Sequence, residues 1–468
     1  MKHCSLFLFA LLVFVQPASA MPGFFVGSDE AGIAIPSTKI IIASKGNHHV
    51  MTVMPSIASA AKELALLMPV PATITRDNIR TLDSEAFNAL DKLSAPRLIE
   101  AFDSNPCTGN DAALAPRTIT SATYNTTVDA NYDISILQPA DGLDLLPWLE
   151  KNGYKLLPKA DQIIEPYTKK GMAFVLVKIR RSNSGDGWLP PIQLTYDAPK
   201  MVLPIRLGLV NAPKPFVPPP KGKEAIVLNA APDMTSDREI KRPDLFNDDA
   251  QALTVYVLTQ QGMATSPLMR SVQLANPRNE VSLPSIAKDH FTAISDGIKN
   301  YRAKAESNAM IIEFAGNADL ADNVLQSVGV SWLNETRPVP RAGQPQEPAN
   351  NDNLLGGMML PKAAYPKHAR AQANAPIADG KAYLTRLYLR YGANAMPQDL
   401  LLQESTNQQS VNTAYHTQVP WTPSDDAADK CEGATLYQSS IETREAQSTE
   451  AMLRLTGWST ATIREKFG

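Results

Sequence analysis

The stretch MAFVLVKI at residues 172–179 does most to decide the fold. Only Lys178 interrupts its run of apolar residues. A strand that packs on one face alternates polar and apolar residues, whereas a short, nearly continuous apolar run is typical of a strand buried on both faces. We therefore predict a central strand here, with other layers packed on each side of it.

Two amphipathic helices are predicted directly before this strand. The first covers residues 145–149, takes either Asp141 or Asp144 as its cap, and stops at Gly153. The second covers residues 160–167, where apolar side chains recur at helical spacing. Helices that precede a buried strand in this way indicate an α+β unit.

Further elements follow from shorter patterns along the chain. Strands are predicted at 39–43, 50–54, 64–70, 132–137, 193–196, 201–209, 253–259, 309–314 and 383–391, and helices at 84–93, 285–305, 320–328, 441–455 and in a short segment ending at Phe467. Ser84 is the predicted N-cap of the first of these helices, and Pro96 stops it. The alternating stretch YLTRLYLRY at 383–391 predicts a strand with one face in water. The fold class is α+β: strand-rich sheets with inserted helices.

The chain of 468 residues is too long for one small core. We expect an N-terminal α+β domain at 21–212, a proline-rich connector at 213–223 and a second α+β unit at 224–336, the two units being of similar size. Residues 337–353 should form a disordered linker or loop, and residues 354–468 a strand and helix segment that packs back on the rest. Proline is frequent, with 37 residues, which implies many fixed turns.

Residues 1–20 have the pattern of a signal peptide. Lys2 precedes an apolar run at 5–15, and small residues at 18–20 form a cleavage site. The apolar run is shorter than the roughly 20 residues that span a bilayer. We expect an exported protein, periplasmic or secreted, with no transmembrane anchor after cleavage. A net charge of −3 argues against nucleic acid as a partner.

Cys107 and Cys431 are the cysteines left after cleavage. Thiols oxidise in an exporting compartment, and a matched pair favours one disulfide over two unpaired buried thiols. The bond would close a loop of 324 residues (431 minus 107). The chain-entropy description gives about 6 kcal/mol as an upper limit for its stabilisation.

Motifs that carry chemistry are weak throughout the sequence. The nucleophile elbow, the zinc-protease helix, the phosphate-binding loop and the dinucleotide fingerprint are all missing. Two S-x-x-K matches, at 59–62 and 285–288, lack the partner triplets of penicillin-recognising enzymes and are better explained as helix starts. We assign no catalytic residue and no cofactor.

Histidine and acidic residues give no complete metal site. His48 and His49 are neighbours, so on a strand their rings point to opposite faces, although a turn would bring them together. His290 follows Asp289, but neighbours diverge on a helix and a solvated face is favoured over a general base. The acidic residues around Cys431 suit a solvated loop better than a calcium cage. We predict no metal site.

Several segments together resemble a known bacterial family. They are GFFV at 23–26, MPVP at 68–71, SAPRLIEAFDSNPC at 94–107, WLEKNGY at 148–154, EPYTKKGMAF at 165–174, LPPIQLTY at 189–196, PIRL at 204–207 and YLTRLYLRY at 383–391. Their order resembles the exported family catalogued as domain of unknown function 2330. The resemblance implies an exported or envelope-associated protein without an established activity. Relatives often carry cysteines beside the GFF segment, where this chain has Pro22 and Val26.

Two hypotheses on function follow. The favoured one is a non-enzymatic binding or structural protein of the cell envelope, with an envelope protein or ligand as its unidentified partner. The alternative is a periplasmic hydrolase or processing enzyme that uses residues far apart in sequence, such as Asp289 or His290 with a distant acid. The alternative requires polar groups that converge in a deep pocket.

Overall fold

The computed structural model describes residues 22–27, 33, 35, 37–57, 63–70, 74–108, 115–120, 130–137, 145–156, 160–181, 187–211, 251–273, 282–305, 309–330, 382–391, 399–423 and 431–467. The predicted signal peptide, the proline-rich connector and the linker at 337–353 lie outside these residues.

A ten-stranded mixed sheet is the largest element of the described chain. Its strands are β2 (Ser37–Lys45), β3 (His48–Ile57), β5 (Ile79–Thr81), β10 (Gly187–Trp188), β11 (Ile192–Asp197), β13 (Gln251–Thr259), β15 (Arg270–Gln273), β17 (Ala309–Asn317), β18 (Tyr383–Tyr391) and β20 (Val411–Asn412). The order is β15-β17-β18-β13-β2-β3-β11-β5, with β10 beside β3 and β20 beside β17. β13 runs parallel to β2, and β15 parallel to β17.

A four-stranded antiparallel sheet packs against one face of the large sheet. It contains β1 (Phe24–Gly27), β4 (Glu63–Val70), β8 (Ala130–Leu137) and β9 (Ala173–Arg181), in the order β1-β4-β9-β8. Alternate side chains of β9 enter two different cores: Val175 and Val177 face the large sheet, whereas Phe174 and Leu176 face the helices on the other side. The prediction of a strand buried on both faces is therefore confirmed.

Two smaller sheets complete the described strands. One contains β12 (Met201–Leu203), β14 (Ala264–Thr265) and β19 (Leu400–Glu404). The other contains β6 (Arg97–Phe102), β7 (Arg117–Thr120), β16 (Ser282–Leu283) and β21 (Ala414–Val419). In the second, β21 runs parallel to both β6 and β16, so one sheet joins segments that are distant in sequence.

The described helices cover the outer faces of the sheets. They are α1 (Glu85–Ser94), α2 (Leu145–Lys151), α3 (Ala160–Thr168), α4 (Ala287–Ala305), α5 (Asp322–Ser327), α6 (Glu432–Thr456) and α7 (Thr460–Phe467). α2 and α3 pack on the four-stranded sheet, and α1 and α5 pack on the large sheet. α4, α6 and α7 form a separate core with the β6–β21 sheet and the end of the large sheet. The predicted α+β class is confirmed.

The large sheet takes strands from all three segments that the sequence separates. β2 and β3 come from the first segment, β13 and β17 from the second, and β18 from the last. β13 lies between β2 and β18, so strands of the three segments are direct neighbours.

The prediction that β18 has one wet face is wrong. Every described side chain of this strand from Tyr383 to Leu389 is buried, including Thr385 and Arg386. The face that was expected in water is covered by helices, and Arg386 finds buried acidic partners there. An alternating pattern indicates that the two faces of a strand differ in polarity, but the polar face can be buried instead of exposed to water.

Two element boundaries differ most from the predictions. The strand expected at 201–209 ends at Leu203, because Pro204 lacks the N–H that a continued ladder needs, and residues 205–211 form a 3-10 helix. α6 begins at Glu432, several residues before the predicted start. Ser84 precedes α1 as predicted, but the capping oxygen comes from Asp83, which accepts from the Glu85 N–H at 2.9 Å.

Candidate functional site

The predicted disulfide is present in the structure. Cys107 and Cys431 are joined, with 5.7 Å between their Cα atoms. Cys107 lies in the turn that follows β6, where its N–H donates to Asn105 Oδ1 at 2.8 Å. Cys431 is the N-cap of α6, and its sulfur accepts from the Ala434 N–H at 3.3 Å. The bond therefore ties the start of a long helix to the end of a strand.

The chain around the disulfide is closely packed. A Cβ atom on Gly433 would lie 2.7 Å from the carbonyl oxygen of Pro106. Such a contact is too short for any side chain, so glycine is required where the first turn of α6 meets the turn that carries Cys107. This close approach holds the two backbones together beside the covalent bond.

Asp103 is the polar centre of this region. Its carboxylate accepts from Tyr437 Oη at 2.5 Å, from Gln418 Nε2 at 2.6 Å and from Arg444 Nη2 at 2.8 Å. Burial raises the pKa of this carboxyl, but the hydrogen bonds from Tyr437, Arg444 and Gln418 outweigh burial and hold it below its ordinary value. Asp103 thus stays ionised and fixes three side chains from β21 and α6.

An open depression lies directly beside Asp103. Its volume is about 270 Å³. Its walls come from the segment between β16 and α4, the end of β21 and the middle of α6, and the lining residues are Leu283, Pro284, Ser285, Gln418, Pro420, Arg444, Glu445 and Ser448. Two of the side chains that Asp103 fixes therefore line a surface that a ligand can reach. We refer to this surface as the Asp103 depression.

A second group of charges is buried on the helix-covered face of the large sheet. Asp91 of α1 forms an ion pair with Lys39 and accepts from the Tyr256 hydroxyl and from Arg386 Nη1, the last at 2.7 Å. Arg386 also donates through Nε to Glu313 at 2.6 Å. Lys39, Tyr256, Arg386 and Glu313 come from four successive strands of the sheet, β2, β13, β18 and β17, and form a row across it in which Tyr256 lies directly opposite Arg386.

Lys299 of α4 extends this buried row of charges. Its Nζ lies 2.8 Å from Asp296 and 3.4 Å from Glu313. Burial lowers the pKa of Lys299, but the charges of Asp296 and Glu313 outweigh burial and raise it above its ordinary value. Asp91 behaves in the corresponding way: burial raises its pKa, and Arg386 and Lys39 outweigh burial and lower it. Lys299 and Asp91 are therefore ionised and paired, and substrates in water cannot reach them.

The comparisons with known proteins concern mainly the first half of the chain. The sequence model of a bacterial family, described as an uncharacterized protein conserved in bacteria (DUF2330), matches residues 16–218. Residues 16–218 are therefore similar to this family. No curated protein matches the chain. A crystal structure of baculovirus P35 is similar over 51% of this chain and 67% of that chain, at 9% identity and a TM-score of 0.23.

Both charged clusters join the DUF2330 region to the rest of the chain. Cys107 and Asp103 lie inside the matched span, whereas Cys431 and Arg444 lie beyond it. The buried row has the same arrangement, since Asp91 is inside the span and Arg386 is outside it. The later part of the chain thus completes contacts that the DUF2330 region begins.

The described histidines lie apart from one another. His49 is buried and contacts Ser44 Oγ at 2.9 Å and the carbonyl oxygen of Ala198 at 3.0 Å, whereas His48 lies on the opposite face beside Asp197. This confirms that the two rings diverge. His290 lies in the first turns of α4, and His416 lies in β21. His368 lies outside the described residues.

The remaining sequence candidates are distributed as follows. Ser285 lines the Asp103 depression, and Lys288 of the same S-x-x-K match is exposed. The match at 59–62 and most of the acidic run before Cys431 lie outside the described residues. In the described parts of the chain, no group of three or more His, Cys, Asp or Glu side chains has an arrangement that would hold a metal ion. The helices of those parts also include none that is long and apolar enough to cross a membrane.

Sequence reasoning found Cys107 and Cys431 but not Asp103, Gln418 or Arg444. One signal was present, because Asp103 stands in the family-like segment at 94–107. Its partners are 315 and 334 residues away for Gln418 and Tyr437, and no periodicity connects positions that far apart.

Proposed function

We propose that this protein is an exported, non-enzymatic binding protein of the bacterial cell envelope, and that it binds its ligand in the Asp103 depression. Two features support export. The first 20 residues have the pattern of a signal peptide, and a disulfide suits a compartment that oxidises thiols. The family described as conserved in bacteria supports a bacterial host.

One observation carries the choice of this surface: Asp103 fixes Gln418 and Arg444 at the wall of an open depression. A binding site gains affinity when its polar groups are held in place before the ligand arrives, because less conformational entropy is then lost on binding. The guanidinium of Arg444 keeps its charge, since the hydrogen bond to Asp103 raises its pKa. The depression therefore offers a fixed cation and a fixed amide to a ligand.

The lining indicates a short stretch of polypeptide as the ligand. Arg444 and Glu445 supply one charge of each sign, Ser285 and Ser448 supply hydroxyls, and Pro420 supplies an apolar surface. A volume of about 270 Å³ is slightly below the range of pockets that enclose small molecules, about 300–1,000 Å³. An open, mixed surface of this size suits a few residues of an extended chain.

The buried row of charges favours binding over catalysis as the purpose of the fold. A catalytic acid or base must reach the substrate within hydrogen-bonding distance. Asp91, Glu313 and Lys299 are each less than a tenth exposed, and their charges are paired inside the fold, Asp91 with Arg386, and Glu313 with both Arg386 and Lys299. They lie where α1 and α4 meet the large sheet, and they stabilise the scaffold that carries the depression.

The test is a binding assay with a library of short labelled peptides and the mature protein. Ser448→Trp fills the depression and should weaken peptide binding at least about tenfold. Ser439→Trp, on an exposed position of the same helix, should bind like the wild type. Mass spectrometry of the bound peptides should find them intact.

Two results would contradict the proposal. Equal binding by the two tryptophan variants would show that the depression is not the site. Cleaved peptides would instead favour the alternative hypothesis of a hydrolase or processing enzyme.

A further inference from the structure

The two halves of α6 are held by different kinds of contact. Among residues 432–450, Ala434 is the one buried side chain, and Leu436 is 65% exposed. The last turns are packed tightly: Ala451, Met452 and Thr456 are buried, and Gly457 lies against the ring of Tyr301. The first half of the helix therefore has little apolar burial to stabilise it.

The contacts that do hold the first half lie around the disulfide. Besides Cys431, the tethers are the hydrogen bonds of Tyr437 and Arg444 to Asp103, and the bond from the Trp421 N–H to Tyr437 Oη at 2.7 Å. Arg444 is about a third exposed, and polar contacts at such positions contribute about 1 kcal/mol or less each. A helical segment of this length is only marginally stable without packing. The disulfide is thus the strongest tether.

Both cysteines are half-buried, so the bond is accessible to a reagent in solution. A thiolate of an external dithiol can attack one sulfur, which breaks the S–S bond, forms a mixed disulfide and releases the other cysteine as a thiolate that takes up a proton. The second thiol of the reductant then displaces the remaining cysteine. The protein gains two thiols, and the dithiol becomes a disulfide.

We propose that the Cys107–Cys431 disulfide is a redox-controlled latch on the first half of α6, and that a protein dithiol opens it. α6 also supplies Arg444, Glu445 and Ser448 to the Asp103 depression. Release of the helix therefore removes one wall of the depression. This last step, the loss of the binding surface, rests on the proposed function, whereas the release of the helix does not.

Hydrogen exchange on the mature full-length protein tests the latch. The oxidised protein is compared with the dithiol-reduced protein and with the Cys107→Ser/Cys431→Ser double variant. When the disulfide is removed, the protection of amides at 432–446 against exchange should fall at least about tenfold more than the protection of amides in β13. The protection of amides at 451–456 should change no more than that of β13. Adding dithiol to the double variant is the control for effects of the reagent alone, and it should change nothing.

The peptide-binding assay on the same three samples separates the two claims. Unchanged protection at 432–446, or an equal loss over all segments, overturns the latch whatever the binding result. A selective loss of protection with unchanged peptide binding would show that the disulfide does not control the Asp103 depression. A selective loss in a protein that binds no peptide in either state leaves the latch in place and overturns the proposed function.

Discussion

Asp91 is the residue on which the buried row of charges depends most. Its carboxylate accepts from Tyr256 and Arg386 and pairs with Lys39, and its side chain is nearly inaccessible. A buried pair of opposite charges stabilises the fold little more than an apolar pair of the same shape, because the cost of desolvation nearly cancels the attraction. Losing one member is different, since the other charge is left without compensation.

Asp91→Asn should therefore lower the free energy of unfolding by about 3–5 kcal/mol. The variant keeps the shape of the side chain but leaves Arg386 and Lys39 facing a neutral amide. Denaturant titration measures the loss. Asp133→Asn, an exposed acid on β8, is the matched control and should change stability by less than about 0.5 kcal/mol. Equal losses in the two variants would show that the buried pairing does not matter.

The same carboxylate predicts a loss of stability in acid. The folded-state pKa of Asp91 lies below its value of about 3.9 in the unfolded chain, so the unfolded state binds the proton first as the pH falls. Its contribution is complete above about pH 4 and is lost as the pH falls through the folded-state pKa. Unfolding titrations give the free energy of unfolding at about pH 6 and at about pH 3, and the decrease between the two should be smaller for Asp91→Asn than for the wild type. An identical difference would refute this assignment.

The partners of Asp91 show where local pattern fails. Lys39 and Arg386 stand in strands that were predicted from their apolar neighbours. The sequence could not show that Arg386 is buried, because Asp91, which compensates its charge, lies 295 residues away. A polar residue in an alternating strand is assigned to water unless its partner is known.

At the scale of elements, the end of α6 depends on one glycine. Gly457 caps the helix with φ at +65°, where a side chain is strained, and a Cβ atom there would also lie 2.4 Å from the Tyr301 ring. Gly46 has a similar φ of +58° but open space around its Cβ position. The two positions separate backbone strain from a steric clash.

Gly457→Ala should destabilise the protein clearly more than Gly46→Ala. The second variant should lose about 1–2 kcal/mol from left-handed strain alone. The first should lose that amount plus the cost of displacing Tyr301, about 1–3 kcal/mol more. Thermal unfolding of both variants measures the difference. Equal melting temperatures of the two variants would show that α4 and α6 shift to accommodate the added methyl group without a loss of stability.

Most elements could be predicted because their signals are local. The apolar run of β9 and the helical spacing of α3 depend on neighbouring residues only. The strand predicted at 201–209 failed where Pro204 ends the ladder and a 3-10 helix follows. The start of α6 was missed since the apolar periodicity of its first half is weak, and the position of its N-cap is fixed by the disulfide.

At the scale of the whole molecule, distant segments close on one another at two places. The buried row joins α1 to β17 and β18, and the disulfide joins the end of β6 to α6. The pairing of Cys107 with Cys431 could be predicted from the expectation of export and from the matched count of two cysteines, without any information on their proximity. The Asp103 depression could not be predicted, because its walls come from three segments that only the folded chain brings together.

The most direct test of this account is the intact mass of the protein recovered from the envelope fraction of its host, alkylated with and without prior reduction. The account predicts a chain that begins at Met21, carries no alkyl group before reduction and carries two afterwards, at Cys107 and Cys431. A cytoplasmic chain that keeps residues 1–20, or a mature chain that is alkylated at both cysteines without reduction, would contradict it.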